Sequence, residues 1–287
     1  MLNGERGKPK VALVVGSGAV KCAAALGLWK VLDRQGIDLD MLVGCSGGSL
    51  FTALMALGWD ADQAIEKTRL LWNRKLTEKR NLPSLLSAIL PGVFKFDERF
   101  GMVDDRAMLH GLQAVFGGKT FADALFPFYV VATDFHNGEP VTLSQGKLVD
   151  ALRASVSIPY IWEPWPIGDR LYVDGSLSNP MPVDVAIKEG ADVILAMGFE
   201  SPYPSRVKSI SRFAFHINSI MTNNLFRANF AFHNLAHHAE IIHILPEFEE
   251  RVRLFDTDKI PYVIRQGEIA MQEQIPYLER LMAASPV

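Results

Sequence analysis

The stretch that constrains this chain most is Asp40-Met41-Leu42-Val43-Gly44-Cys45-Ser46-Gly47-Gly48-Ser49-Leu50-Phe51. Met41 to Val43 form a short apolar run suited to a buried strand. An apolar helix then opens at Gly47 or Gly48 and stops at Gly58. Between them, Gly44-x-Ser46-x-Gly48 has the pattern of a nucleophile elbow, a strand-to-helix turn so tight that glycines must flank the serine. Such a turn lifts the serine hydroxyl to the tip of the strand. It also aims the first amide groups of the new helix at any oxyanion formed there. An ordinary glycine-rich turn shares the pattern, so the rest of the chain has to decide between the two.

Upstream, Val11 to Val15 is a β-branched run suited to a strand buried on both faces. Gly16 to Cys22 turns the chain, and a helix through Leu26, Leu28, Trp29 and Leu32 leads back to the serine strand as a βαβ unit. The Gly16-x-Gly18 turn admits three readings. As a dinucleotide loop it lacks its third glycine, where Lys21 or Cys22 stands. As a nest of backbone N–H groups it would stabilise an oxyanion beside Ser46. As a plain turn it packs helix on sheet.

Further along, a helix is expected from Asp60 to Arg80, and strands at 126–134 and 141–143. A helix at 148–154 precedes a proline-broken loop at 155–164. The charged segment 74–80 beside the apolar 82–94 suggests a membrane-contacting lid or a short helix packed on the core. Leu171 to Ser176 delivers Asp174 from a strand end into a turn, where catalytic carboxylates of α/β sheets lie and where Asp-Gly turns are also routine. After a helix to Glu189 comes a strand at 193–198. Residues 206–238 read as mostly helical, 241–245 as a strand, and about 262–282 as an amphipathic helix. His237-His238 is no ligand pair, because adjacent helical side chains diverge. His243 is expected to be a packed strand histidine. Phe51, Leu54, Trp162 and Trp165 are candidates for an acyl channel or for plain core.

With 287 residues, 49% hydrophobic and 21% charged, the chain can bury one sizeable core, and no linker or repeat divides it. A single domain over 1–287 is expected. A net charge of −3 argues against a nucleic-acid partner. Cys22 and Cys45 form neither a metal-ligand spacing nor a disulfide framework, which favours a reducing compartment. No signal-peptide pattern or long apolar span is present, so a cytoplasmic location is expected.

Val11 to Gly36, the Gly44–Gly48 elbow, and Ala154-Ser155-Val156-Ser157-Ile158-Pro159 through Asp174-Gly175 to Pro182 together resemble the patatin-like phospholipase family. The likeness spans roughly residues 10 to 200, with the C-terminal helices and strand (205–284) weaker. It implies a three-layer α/β/α fold with a mainly parallel sheet. It also implies hydrolysis of lipid acyl esters by a Ser–Asp dyad with no metal or cofactor. Ser46 matches the nucleophile and Asp174 its partner. The oxyanion loop falls on Ser17, Gly18, Ala19, Val20 and Lys21, with Gly47 beside it. Three glycines of the family's loop are here Ser17, Ala19 and Cys22, and the Asp-Gly-Gly/Ala motif ends in Ser176. Where such a glycine holds positive φ, Ala19 or Cys22 would strain the loop or re-aim an N–H. Three rivals remain at this point: an α/β-hydrolase triad of Ser46, Asp174 and His243; a lipid-binding or regulatory member that has lost catalysis; and a nucleotide-binding protein resting on Gly16-x-Gly18.

Overall fold

The computed structural model describes residues 8–283 apart from 90–92, 94, 96, 201–202, 204–205, 237–238 and 254–255. The His237-His238 pair therefore lies outside the described residues. In chain order the elements are β1 (Val11–Val15), α1 (Ala24–Arg34), β2 (Met41–Cys45), α2 (Gly47–Ala56), α3 (Ala61–Leu71), α4 (Leu82–Ile89), α5 (Arg106–Phe116), β3 (Phe128–Asp134) and β4 (Pro140–Leu143). They continue with α6 (Leu148–Ser155), β5 (Trp165–Ile167), β6 (Arg170–Asp174), α7 (Val183–Lys188), β7 (Val193–Met197), α8 (Ile210–Ala236), β8 (Glu240–Ile244) and α9 (Ile260–Ala283).

The strands form one sheet in the order β5-β6-β3-β2-β1-β7-β8, with β4 paired to β3. Its centre is parallel, whereas β4, β5 and β6 pair antiparallel. The continuous apolar run of β1 is explained by burial on both faces. Val11, Leu13 and Val15 join the cluster beneath α1, α2 and α9, while Ala12 and Val14 join the one beneath α7 and α8. Two helical layers therefore enclose the sheet, giving the three-layer α/β/α architecture.

Register at β3 sets up the rest. Val130 and Val131 pair with both β2 and β4, so those two strands take opposite edges of β3. Ala132 and Thr133 pair with both β4 and β6, so β6 shares the edge of β2. Because β2 runs parallel to β3 and β6 antiparallel, their C-terminal ends point at one another along that edge. Ser46 follows one end and Asp174 closes the other.

One expectation needs correction and one gains detail. The helix placed at 60–80 ends at Leu71, where Trp72 turns extended and the Asn73 side chain accepts from Lys75 N to open a separate 3₁₀ turn over Arg74–Thr77. The turn after β1 likewise enters a 3₁₀ turn, Ala19–Ala23, before α1 begins. Both are local tightenings that apolar periodicity does not register.

Helices α1 and α9 cross at a pair of glycines. A Cβ on Gly27 would lie 1.9 Å from Ile264 O, and one on Gly267 would lie 2.0 Å from Ala24 O. Intrinsic helix propensity favours Ala over Gly by about 1 kcal/mol, but overpacking against rigid backbone typically costs about 1–3 kcal/mol. Gly27→Ala should therefore lower the unfolding free energy in urea titrations. A stabilised variant would contradict this packing.

Candidate active site

Ser46 sits between β2 and α2 with φ +54. The elbow is closed by contact. A Cβ on Gly44 would lie 2.3 Å from Thr52 Oγ1 and 2.4 Å from Ser49 Cα, and one on Gly48 would lie 2.2 Å from Val15 O. These approaches, rather than turn propensity, require the two outer glycines. Ser49 reinforces the turn by donating its hydroxyl to Ser46 O at 2.6 Å.

Across the strand junction, Ser46 Oγ donates to Asp174 Oδ2 at 2.8 Å. The other carboxylate oxygen accepts from Ser176 N at 2.9 Å. Residue 176, where the family pattern has Gly or Ala, thus contributes its backbone, and Ser serves as well. Asp174 is 1% exposed and Ser46 7%, so water scarcely reaches the pair. Burial pushes the Asp174 carboxyl up to about 6, partly offset by its hydrogen bonds from Ser176 and Ser46.

The C-terminal end of α6 holds the backbone of both residues. Ser155 Oγ accepts from Ser46 N at 2.9 Å and donates to Val131 O at 2.7 Å. Ser157 O accepts from Asp174 N at 3.0 Å. Ser157 is itself tied to Arg153, whose Nη1 donates to Ser157 Oγ at 2.6 Å. Arg153 has a wholly buried side chain, and its Nη2 reaches Asp105 Oδ2 at 3.0 Å and Glu163 O at 3.2 Å. Its guanidinium also lies 5.2 Å from the Trp165 ring centre. Sequence reading missed this cluster. Its single signal was an arginine beside the Ala154-Ser155 motif, on what looked like an ordinary amphipathic helix.

The candidate oxyanion residues divide. Among the described residues, the amides of Gly18, Ala19 and Gly47 have no acceptor. Gly47 packs directly on the loop, where a Cβ would lie only 2.7 Å from Ala19 Cα. The Ser17 amide, by contrast, is bound to Pro180 O at 2.9 Å, and Val20 is wholly buried. Lys21 points away from the dyad: Nζ donates to Glu200 O at 2.9 Å and lies 5.7 Å from the Phe248 ring centre, and burial lowers its pKa. Cys22 donates to Gly16 O at 3.4 Å, and burial raises the thiol pKa of both Cys22 and Cys45. The strain expected from lost glycines falls on Ala19, at φ +53, and not on Cys22.

His243 does not join the dyad. It lies on β8, separated from β2 by β7 and β1, and its ring packs 3.8 Å from that of Phe230. The triad rival loses its base. Phe51, Leu54 and Trp162 are core residues at 2% exposure or less, and Trp165 lies against Arg153.

A serine at an elbow and a buried aspartate at the facing strand end, on a three-layer α/β sheet, define a class of α/β proteins carrying a serine–carboxylate pair. The patatin-like phospholipase family profile matches residues 13–187, and the chain belongs to that family. It is similar to an uncharacterised NTE family protein of Mycobacterium tuberculosis, 27% identical over 189 residues, covering 66% of this chain and 49% of that protein. It is also similar to patatin-like phospholipase domain-containing protein 6 of Mus musculus, 27% identical over 189 residues, covering 65% of this chain and 13% of that protein. The chain thus spans about half or less of these relatives. In fold it resembles VipD from Legionella pneumophila, with a TM-score of 0.52 at 12% identity over 94% of this chain and 67% of that one. Among the described residues no helix is long and apolar enough to cross a membrane.

Two stability effects follow. The Asp174 value of about 6 exceeds the ordinary 3.8, so the folded state holds this proton more tightly than the unfolded chain. The resulting stabilisation, roughly 3 kcal/mol, is complete below about pH 4 and is lost as pH rises through about 6. Asp174→Asn cannot ionise, so its stability advantage over wild type should grow by that amount between pH 4 and pH 7 in urea titrations. A difference constant with pH would contradict the burial account. At position 19, left-handed backbone costs a non-glycine residue about 1–2 kcal/mol. Ala19→Gly should therefore be neutral or stabilising by about 1 kcal/mol in the same assay, reversing the usual loss for that exchange.

Proposed function

We propose that the chain is a serine hydrolase of lipid acyl esters working through a Ser46–Asp174 dyad. The observation that carries this reading is the 2.8 Å hydrogen bond between Ser46 Oγ and Asp174 Oδ2 in a junction almost closed to water. An exposed aspartate is too weak a base for a serine hydroxyl, and the burial that raises its pKa to about 6 narrows that gap.

In the proposed sequence, Ser46 Oγ attacks the ester carbonyl while its proton passes to Asp174 Oδ2. The carbonyl oxygen becomes an oxyanion facing the amides of Gly18, Ala19 and Gly47, each donor being worth about 10²–10³ in turnover. Collapse breaks the bond to the leaving alkoxide, which takes the proton from Asp174 and leaves an acyl group on Ser46. A water then gives its proton to Asp174 and attacks the acyl carbonyl. The second collapse releases the carboxylic acid and returns the proton to Ser46. Apart from the ester and the water, every group used in this proposed sequence belongs to the chain itself. Ser17 and Lys21, bound to Pro180 O and Glu200 O, support the loop from behind.

The left-handed backbone of Ala19 favours this reading over a lipid-binding member without catalysis. Ala19 holds φ +53 despite its side chain, and backbone strain of this kind clusters at functional sites. Family membership supports lipid esters as the substrate class.

Ser46→Ala should abolish hydrolysis of p-nitrophenyl esters across a range of chain lengths while leaving thermal unfolding intact. For wild type, kcat/KM should fall with unit slope as pH drops below about 6, because the base must be ionised. Residual activity near the wild-type level in the alanine variant would end the proposal.

A further inference from the structure

Helix α4 has no buried residue. Its Leu82 (64% exposed), Leu86 (42%) and Ile89 (72%) recur at helical spacing, so they form one apolar stripe, and Val93 beyond it is 75% exposed. An eight-residue helix is marginal in water on its own propensity, and among the described residues none of its apolar side chains joins a core cluster. Scattered exposed leucines need no explanation, but an aligned stripe does.

Charge surrounds the stripe. From 74 to 95 the sequence carries five Lys or Arg (74, 75, 79, 80 and 95) against the single Glu78, a balance of +4 in a chain whose net charge is −3. Lys75, Lys79, Arg80 and Lys95 are exposed. Aliphatic side chains rimmed by lysine and arginine match the boundary between acyl chains and anionic headgroups. A protein partner would call instead for aromatic anchors and few lysines.

The stripe is also tethered to the loop that leads to the dyad. Asn81 Nδ2 donates to Glu163 Oε1 at 2.6 Å, and Ser84 Oγ accepts from Gly101 N at 3.1 Å. Met102 N and Val103 N bind Tyr160 O and Ile161 O, each at 2.9 Å. The loop so gripped begins at Ser157, whose carbonyl holds Asp174 N, and ends at Glu163, whose carbonyl holds Arg153.

We propose that α4 docks this chain on an anionic lipid surface, with Leu82, Leu86 and Ile89 entering the acyl boundary and Lys75, Lys79, Arg80 and Lys95 meeting the headgroups. This goes beyond the hydrolase reading, since docking requires no chemistry at Ser46. Its effect is to bring the lipid surface to the loop that backs the closed dyad.

Co-sedimentation with phosphatidylglycerol vesicles and with phosphatidylcholine vesicles tests it. Wild type should bind the anionic vesicles, release them at high salt, and bind the neutral ones far less. Ser46→Ala should bind as wild type does, which separates this proposal from the catalytic one. Leu82→Ser/Leu86→Ser/Ile89→Ser should lose vesicle binding. Lys79→Glu/Arg80→Glu, which alters exposed side chains only, should weaken it about twentyfold or more and keeps the test decisive if the apolar variant misfolds. Both surface variants should hydrolyse a soluble short-chain ester as wild type does. Absence of wild-type binding to anionic vesicles, or unchanged binding by the charge-reversed variant, overturns the proposal. So does an apolar variant that binds vesicles normally but turns a dimer into a monomer, since a second copy would then be the occupant.

Discussion

The hydrogen bond from Ser46 to Asp174 depends on two strands meeting end to end. β2 and β6 share one edge of β3 and run towards each other, so a hydroxyl and a carboxylate 128 positions apart in sequence converge at 2.8 Å. The junction is dry because it lies inside the sheet's own layering, between the elbow and the end of α6. Dryness is what the proposed dyad relies on for its chemistry. An aspartate in water would hold its proton too weakly to take one from serine, whereas a desolvated one with a pKa near 6 holds it better. The proposed dyad uses no imidazole, and His243 is held three strands away in the sheet.

The same junction carries the structural costs. Ser46 and Ala19 both occupy positive φ, and the Asp174 charge is buried. The surrounding framework over-determines each of them. Ser155 anchors the Ser46 amide, Ser157 the Asp174 amide, and Gly47 lies flat on Ala19. Arg153 stiffens the anchor itself, its own burial compensated by Asp105 and by carbonyl and hydroxyl acceptors. A fold that spends stability at one place in this way generally does so at a functional site.

Much of this was legible in the chain. The elbow glycines, the β-branched run of β1 and the apolar stretch of β2 impose strand-turn-helix geometry through local sterics and burial, which sequence expresses directly. Asp174 could be placed at a strand end by pattern, but its partnership with Ser46 came from the family resemblance, because the register of β6 on β3 is a tertiary property. Arg153 was not legible. Its partners Asp105 and Glu163 come from distant segments, and a lone arginine on an amphipathic helix carries no mark of burial. The break after Leu71 was missed for a related reason: Asn73 ends the helix through its side chain, Nδ2 donating to Leu70 O at 3.2 Å and Oδ1 accepting from Lys75 N at 3.0 Å, with no glycine or proline to signal it. The loop departures at Ser17, Ala19 and Cys22 were legible as substitutions, but only the backbone shows that Ala19 alone bears the strain.

Covalent labelling tests the central claim most directly, that burial and one carboxylate suffice to activate Ser46. A fluorophosphonate probe, followed by mass spectrometry of the digested protein, should place the adduct on Ser46. Asp174→Asn should label far more slowly, and His243→Ala as fast as wild type. An unlabelled Ser46, an adduct elsewhere, or labelling that survives loss of the carboxylate but not of the imidazole would contradict the account.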